Sequence, residues 1–253
     1  MSELGIQIAA AGESSRLRDY ISGLGYPEGF PKFLLPTGGP NGETLLGKVL
    51  RQAIDAPIAH EIILHTSPEN NSFIRAESDV SDDIDDHDVR TVFDLPGNSF
   101  RPFLPKLVES ETTVLGSSAD FYANFAWNDV INDHYTRKYP ITFVVGEMIE
   151  VDKGAVFNVA DDGKITDFAR VDRTNSGDLV NVGIYIFEPD KAVLRTLEGL
   201  VSERQLAKEE EIVTKLVAAG LMGAHVLETM PYNVNSEETY QALLAHTSSK
   251  VTV

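Results

Sequence analysis

The sequence predicts an α/β fold, because short apolar runs of strand type alternate with segments of helical periodicity. The run 6–11 ends at a glycine, and a second continuous apolar run, 61–66, has the character of a strand inside a parallel sheet. Between them, apolar residues recur at helical spacing over 43–56, and Pro57 follows. This strand–helix–strand order is typical of a parallel sheet covered by helices.

The later elements follow from the same signals. Ser67 and Pro68 resemble a capped helix start, which predicts a helix to about residue 77. We expect the acidic stretch 78–88 to be a solvated surface loop, because it lacks the spacing of a calcium loop. Further predicted elements are strands at 89–95, 141–145 and 179–187, a hairpin with an Asp-Asp-Gly turn at 155–165, and helices at 189–197, 209–219 and 236–246.

Composition indicates one soluble domain, residues 1–253, since no linker or repeat divides the chain. The absence of cysteine excludes disulfides and thiolate metal sites. No apolar run approaches the ~20 residues that a membrane span needs. The first residues, MSELG, lack the basic flank and apolar core of a signal peptide, so we expect a cytoplasmic protein that does not bind a membrane.

The net charge of −18, from 21 basic and 39 acidic residues, argues against a nucleic-acid partner, which would require a basic surface. An anionic ligand would approach this protein against its overall field. Local cations and a divalent metal would therefore have to make its binding site attractive.

The turn after the first strand has the composition of a phosphate-binding loop. Gly12 allows a close approach of the backbone to a ligand, Ser14 and Ser15 add hydroxyl donors, and Arg16 can contact two oxygens at once. Lys32, further along the chain, is a second cation that could contact a phosphate. A dinucleotide fingerprint is rejected, because it needs glycine where Ser14 and Leu17 stand, whereas a plain strand-to-helix turn with Arg16 on the surface stays open. The candidate nucleotide-binding residues here are Ala10, Ala11, Gly12, Glu13, Ser14 and Ser15.

Two following segments, PKFLLPTGG and GETLLGKVLRQAI, complete a longer pattern. Together with the loop they resemble the signature of the sugar-1-phosphate nucleotidylyltransferases. The matching residues are Ala10, Ala11, Gly12, Ser15, Arg16, Leu17, Pro31, Lys32, Leu34, Leu35 and Pro36. The chain departs from the signature at Ser14, where the family has a second glycine, and in a longer gap between Arg16 and Lys32.

The resemblance implies a Rossmann-like, three-layer αβα fold of the nucleotide-diphospho-sugar transferase type, with a mixed, mainly parallel central sheet. It implies transfer of a nucleoside monophosphate from a nucleoside triphosphate to a sugar-1-phosphate or similar phosphorylated acceptor, with release of pyrophosphate. Arg16 and Lys32 would then be the catalytic residues. A phosphorylated alcohol or a phosphonate stays open as the acceptor, and so does a homo-oligomeric state. The alternative is a catalytically degenerate nucleotide- or sugar-nucleotide-binding regulatory or partner protein.

Gly116 and Ser117 are further candidates for nucleotide binding. A helical pattern follows them, from Phe121 to Val130, which predicts a helix N-terminus that faces a ligand. The segment also resembles the family element that packs against the nucleobase.

The acceptor site is expected around Gly154, Arg170, Asn181 and Gly183. Arg170 stands where the family has a lysine that meets the sugar phosphate, and an arginine preserves the cation with a different geometry. Asn181 and Gly183 belong to the segment NVGIYIF, which resembles a strand of the family.

The resemblance also implies a magnesium ion held by two acidic positions. This chain has Glu147 at the first and Asn233 at the second, where the family has aspartates. Carboxylate and amide oxygens are both ligands of magnesium. Another alignment makes Asp129 the ligand, but it shortens the crossover helix, so Glu147 is preferred.

Overall fold

The computed structural model describes residues 4–10, 14–38, 42–56, 59–93, 104, 107, 113–148, 152–198, 200–202 and 205–249. The helices are α1 Arg18–Gly23, α2 Leu45–Ile54, α3 Pro68–Ala76, α4 Ser78–Asp86, α5 Trp127–Arg137, α6 Lys191–Leu197, α7 Glu209–Ala218 and α8 Glu237–Ser249, with a short 3-10 helix at Lys32–Leu34. None of these helices combines the length and the apolar character that crossing a bilayer requires.

The strands are β1 Leu4–Ala10, β2 Ala59–Thr66, β3 Arg90–Phe93, β4 Val114–Ser118, β5 Phe121–Tyr122, β6 Ile141–Glu147, β7 Asp152–Val159, β8 Ile165–Arg173, β9 Leu179–Phe187, β10 Val201–Ser202, β11 Gln205–Leu206, β12 Met222–Val226 and β13 Tyr232–Asn233.

The central sheet has the strand order β12-β6-β9-β4-β1-β2-β3, and the β7–β8 hairpin joins it at β9. Neighbouring strands are parallel except at β9, which runs antiparallel to both β4 and β6. The α/β prediction, with a mixed and mainly parallel sheet, is therefore confirmed.

Helices cover both faces of this sheet. On one face, Ile6 and Ile8 of β1 are fully buried in a core that includes Leu46 and Leu50 of α2. On the other face, aromatic residues of β6 and β9 meet the apolar side of α7, and Phe143 contacts Tyr185 with ring centroids 4.7 Å apart. The alternation of strands and helices thus produces three layers, and the loops at the strand ends remain to build a site.

The acidic stretch is a helix, so the prediction of a loop at 78–88 is wrong. Val80 and Ile84 lie one turn apart on α4 and are buried in the core. The carboxylates occupy the remaining faces, and Asp83 pairs with Arg51 of α2 at 3.3 Å. Two well-placed apolar side chains are enough to hold a helix whose other residues are serines and aspartates.

The segment after Thr113 is a strand, so the prediction of a helix N-terminus there is wrong. Val114–Ser118 is buried between β1 and β9, and the helix α5 begins only at Trp127. A short continuous apolar run does not distinguish a strand from a helix by its periodicity. Here the segment pairs with β1 on one side and with β9 on the other.

The sequence predicted the turn of the β7–β8 hairpin in the right place. This turn contacts the edge strand β12. Gly163 accepts a hydrogen bond from the backbone of Ala224 at 2.8 Å, and Lys164 forms a β-bridge with Gly223. Gly163 has a φ of +83°, and a Cβ there would lie 1.8 Å from Nη1 of Arg137. At Gly223 and Ala224 the outer side of β12 is therefore covered by the protein itself.

His134 on α5 is buried and linked to β6 by a 2.8 Å hydrogen bond between Nδ1 and Oγ1 of Thr142. Burial lowers its pKa from 6.5 to about 4, although the charge of Asp133 opposes this. Below pH 6.5 the unfolded chain therefore takes up a proton that the folded protein accepts only near pH 4. We expect the free energy of unfolding to fall by roughly 2 kcal/mol from this group between pH 7 and pH 5.

Denaturant titrations of the wild type and of His134→Gln at both pH values test this expectation. The variant should lose less stability on acidification, since glutamine keeps a hydrogen-bonding group and does not titrate. Equal losses in the two proteins would contradict it.

Candidate active site

Lys32 is the residue around which the site is built. It is the first residue of the 3-10 helix, and Pro31 precedes it with φ −78° and ψ 134°. The next side chains, Phe33 and Leu34, are each 2% exposed and anchor the segment in the core. The backbone N–H of Lys32 donates to Oγ of Ser14 at 2.7 Å. The lysine is thus held against the end of the first strand's loop.

The Lys32 ammonium contacts two oxygen ligands. Nζ lies 2.7 Å from Oδ2 of Asp120, and it donates a hydrogen bond to Oδ1 of Asn235. The side chain of Lys32 is 11% exposed and that of Asp120 is 24% exposed. The group is therefore shielded from bulk water but open on one side, as a binding site requires.

Asp120 reaches this position because β4 runs parallel to β1, and Asp120 follows two residues after the end of β4. The backbone N–H of Ala119 donates to the carbonyl of Ala9 at 3.0 Å, one residue past the end of β4. Ser118 also donates its hydroxyl to Asp120. The carboxylate consequently lies at the carboxyl ends of β1 and β4, which is where open α/β sheets bind ligands.

Asn235 comes from the other end of the chain. It precedes α8, whose start is closed by hydrogen bonds between Ser236 and Thr239 at 3.0–3.3 Å. The N–H of Val234 donates to the carbonyl of Asp120 at 3.1 Å, which ties this segment to the aspartate. Tyr240 of α8 donates to the carbonyl of Pro36 at 2.9 Å. The C-terminal helix therefore packs on the segment that carries Lys32.

Burial by itself would raise the pKa of Asp120, but the positive charge of Lys32 and hydrogen bonds from Lys32 and Ser118 lower it below its ordinary value. Asp120 is therefore a carboxylate at neutral pH, and its interaction with Lys32 is an ion pair. The aspartate and the asparagine together form an oxygen-rich, cation-binding corner.

The predicted phosphate loop is described only in part. Residues 11–13 lie outside the described residues, so the predictions for Ala11, Gly12 and Glu13 stay predictions. Ala10 ends β1, and its carbonyl accepts the hydroxyl of Thr66 at 2.9 Å. Ser14 follows the loop, and Ser15 and Arg16 are exposed in the next turn. Arg16 is thus accessible to a ligand, while Lys32 lies deeper in the protein.

Gly116 and Ser117 are buried within β4, opposite Tyr185 and Ile184 of β9. Their place is inside the sheet, before the strand reaches the edge at which Asp120 lies. The structure has no helix N-terminus here, so the nucleotide-binding role of Gly116 and Ser117 stays a prediction that rests on the resemblance alone.

The structure places the predicted metal residues on three different elements, and their role as metal ligands stays a prediction. Glu147 is exposed at the end of β6, paired with Leu179, and Asp129 lies in the first turn of α5. Asn233 of β13 pairs with Phe121, next to Asp120, and its side-chain oxygen is buried without a hydrogen-bond partner among the described residues. The carboxylate that the fold brings to Lys32 is Asp120.

The predicted acceptor residues lie on β7, β8 and β9. Gly154 pairs with Val171, and Arg170 forms a 3.1 Å ion pair with Glu209 at the start of α7. Asn181 donates to the hydroxyl of Tyr185 at 3.0 Å and accepts from the N–H of Gly183 at 2.9 Å. Both polar groups of Asn181 therefore support its own strand.

Gly183 allows β9 to pass close to the Asp120 turn. Its φ is +76°, and a Cβ at this position would lie 2.9 Å from Cβ of Ser118 and 3.0 Å from the ring of Phe121. These two residues flank the turn that presents Asp120. Glycine is therefore needed here both for its backbone conformation and for its size.

Sequence reasoning missed Asp120 and did not single out Asn235. The available signal was an aspartate directly after a buried run of small and apolar residues, TVLGSSA, because such a run can be a strand that ends at the ligand edge. Asn235 belongs to the same Asn-Val-Asn motif as Asn233, and only the fold distinguishes the two.

Solved structures similar to this protein cover almost its whole length. A candidate glucose-1-phosphate thymidylyltransferase from Bacillus anthracis, in complex with a sucrose, has a TM-score of 0.73 at 14% identity, covering 97% of this chain and 95% of its own. CTP:phosphocholine cytidylyltransferase from Streptococcus pneumoniae has a TM-score of 0.66 at 16% identity, covering 96% of this chain and 99% of its own. This chain has the nucleotidyltransferase fold.

A third structure with this fold is HddC from Yersinia pseudotuberculosis complexed with GMP-PN, which has a TM-score of 0.68 at 16% identity over 97% of this chain and 99% of its own. No protein-family model and no curated protein matches the sequence. The resemblance first seen in the loop and the Pro-Lys segment is thus confirmed for the nucleotidyltransferase fold, and the low identities fit a divergent chain.

Proposed function

We propose that this protein transfers a nucleoside monophosphate from a nucleoside triphosphate to a sugar-1-phosphate or a similar phosphorylated acceptor, and releases pyrophosphate. One observation carries the proposal: the Lys32 ammonium lies at the carboxyl ends of β1 and β4, 2.7 Å from Asp120 and in contact with Asn235. A cation and oxygen ligands at this edge of an α/β sheet suit a chain of phosphates and its counter-ion.

In the proposed reaction a phosphate oxygen of the acceptor attacks the α-phosphorus of the nucleotide. A new P–O bond forms to the acceptor, and the P–O bond to the β-phosphate breaks, so pyrophosphate leaves with the electron pair. No side chain needs to act as a nucleophile, because the acceptor phosphate already is one. Catalysis then consists of positioning and charge neutralisation.

Lys32 and Arg16 divide this task between them. Lys32 is held on both its backbone and its ammonium group, so it can neutralise the α-phosphate in a fixed place. Arg16 is exposed and can fold over the outer phosphates, with a fork that matches two oxygens. Since the protein carries a net charge of −18, these two cations must supply the local attraction.

The acceptor's phosphate has a candidate cation in Arg170. In the structure its guanidinium is paired with Glu209, so contact with a phosphate would exchange one anion for another. The other three predicted acceptor residues lie on neighbouring strands: Gly154 on β7, and Asn181 and Gly183 on β9. The net charge of −18 argues against a polyanion such as a nucleic acid as the acceptor.

A magnesium ion fits the oxygens present. Asp120 offers a carboxylate and Asn235 an amide oxygen, and magnesium usually takes one or two carboxylates together with substrate phosphates and water. Among the described residues, no three His, Cys, Asp or Glu side chains form a ready-made metal cluster. Asp120 and Asn235 would therefore hold the ion, with Asn233 nearby. When bound, it would neutralise charge on the phosphate oxygens.

The test is a screen of the purified protein with four nucleoside triphosphates and a panel of sugar-1-phosphates, phosphorylated alcohols and phosphonates. We expect pyrophosphate release that requires both substrates and magnesium, and that stops when EDTA removes the metal. Pyrophosphate that appears without an acceptor, or no pyrophosphate with any combination, would contradict the proposal.

A second candidate function is nucleotide or sugar-nucleotide binding without transfer, in a regulatory or partner protein. One observation favours it: the second oxygen ligand at Lys32 is the neutral amide of Asn235. Lys32 therefore balances a single negative charge, which leaves less attraction for a metal ion. A binder of this kind would hold a nucleotide equally well with and without magnesium, as isothermal calorimetry would show.

A further inference from the structure

Ser14 has a backbone conformation that its residue type disfavours. Its φ is +53°, and among the described non-glycine residues only Asp88 and Lys138 share a positive φ. Those two lie just past the ends of α4 and α5, where a left-handed residue commonly terminates a helix. Ser14 terminates no helix, because it precedes α1. A glycine would take this conformation without strain, so a serine here indicates that its side chain is used.

The hydroxyl of Ser14 completes the hydrogen bonding of Lys32. The first residues of a helix have N–H groups without partners inside the helix, and Lys32 begins the 3-10 helix. Its N–H donates to Oγ of Ser14 at 2.7 Å, across 18 positions of the chain. Ser14 therefore caps this helix from a distant loop. In this contact Oγ of Ser14 is the acceptor, so its hydroxyl can still donate a hydrogen bond to another group.

The bond joins Ser14 to the backbone of the residue that carries the ammonium. Ser14 directly follows the segment 11–13, for which the sequence predicts phosphate binding, and Lys32 carries the ammonium that contacts Asp120 and Asn235. The left-handed turn at Ser14 aims its side chain at the start of the 3-10 helix. Without the hydroxyl, nothing among the described contacts ties the backbone of Lys32 to this loop.

We propose that Ser14 is a positioning residue, which fixes the backbone of Lys32 and thereby the place of its ammonium beside Asp120 and Asn235. The inference rests on the proposed function, since the lysine is taken to act on the α-phosphate. It also explains why the chain has serine where the related signature has glycine. A glycine has no hydroxyl that could accept the hydrogen bond from the N–H of Lys32.

The test uses two variants with opposite expected effects. Ser14→Gly relaxes the backbone and removes the hydroxyl, so we expect an unchanged or higher melting temperature and a kcat about 10- to 100-fold lower, with KM within about twofold. Ser14→Thr keeps the oxygen but strains the backbone, because a β-branched residue resists a positive φ. It should lower the melting temperature and keep kcat within about threefold of the wild type.

Lys138→Gly is the matched control for backbone freedom. Lys138 has a φ of 61° at the end of α5, outside the site, and its replacement should leave kcat unchanged. A Ser14→Gly variant with wild-type kcat would overturn the proposal. A raised KM with an unchanged kcat would also overturn it, because the hydroxyl would then serve nucleotide binding.

Hydrogen–deuterium exchange separates this inference from the proposed function. The amide of Lys32 should exchange at least about tenfold faster in Ser14→Gly than in the wild type or Ser14→Thr, whether or not the protein shows activity. If the wild type releases no pyrophosphate but this amide exchanges faster in the glycine variant, the proposed function fails and the contact stands. Unchanged exchange in the glycine variant overturns the inference itself.

Discussion

Replacing Lys32 by alanine should lower kcat for pyrophosphate release about 100- to 1,000-fold, the loss typical of removing one preorganised group that stabilises transition-state charge. The reason is geometric: Ser14 holds the backbone of Lys32, while Asp120 and Asn235 hold its ammonium, and no other described cation makes these contacts. Steady-state assays over a range of nucleotide concentrations would separate kcat from KM. A variant that kept the wild-type kcat would refute the assignment of Lys32 to catalysis.

Two controls isolate the chemistry from the fold. Lys215→Ala removes a lysine that is 52% exposed and pairs with Glu211 one turn away, so kcat should not change. Lys32→Ala leaves Asp120 without its partner, and since Asp120 is 24% exposed we expect a loss of only about 1–2 kcal/mol in the free energy of unfolding. Adding Asp120→Asn to Lys32→Ala should restore much of this stability without restoring kcat.

The second large effect is expected at Gly183. Gly183→Ala should lower the free energy of unfolding by about 2–4 kcal/mol, from roughly 1–2 kcal/mol of backbone strain and a similar penalty for overpacking. The new Cβ would lie 2.9 Å from Cβ of Ser118, so the turn that carries Asp120 has to move. For a protein of this size the melting temperature should drop by about 5–15 °C, and kcat should fall with it.

Gly177→Ala is the matched control for the strain alone. Gly177 has a φ of +89°, and a Cβ there would meet no atom within 4 Å. Its replacement should lower stability by about 1 kcal/mol and leave kcat unchanged. If the two variants were equally stable, close packing against Ser118 and Phe121 would not be the reason for a glycine at position 183.

Patterns that are local in sequence predicted the larger elements well. The strand at 179–187 was predicted with the bounds of β9, and the helices α2, α3, α7 and α8 lie within a few residues of their expected places. Each combines a strong apolar period with a cap or a breaker, so the chain itself carries the information. The α4 helix was missed because its apolar signal consists of two side chains, Val80 and Ile84, among many carboxylates.

The sequence predicted Lys32 as part of the site, but it did not predict Asp120 and Asn235, the two residues that contact its ammonium. Lys32 and the loop before it belong to one contiguous motif, but its partner Asn235 lies 203 positions further along the chain. No local pattern reports that β4 ends beside β1, or that α8 packs on the segment after Lys32. Glu147 follows a buried strand just as Asp120 does, and only the strand order decides which of them meets the lysine.

The hairpin turn at Gly163 and Lys164 has a consequence for how copies of this protein can meet. An uncovered outer strand invites another chain to extend the sheet, which is a common route to aggregation. Along Gly223 and Ala224 that route is closed, because the backbone there already bonds to the turn. At these two residues self-association would have to proceed through side chains, so surface substitutions there could weaken it without disturbing the sheet.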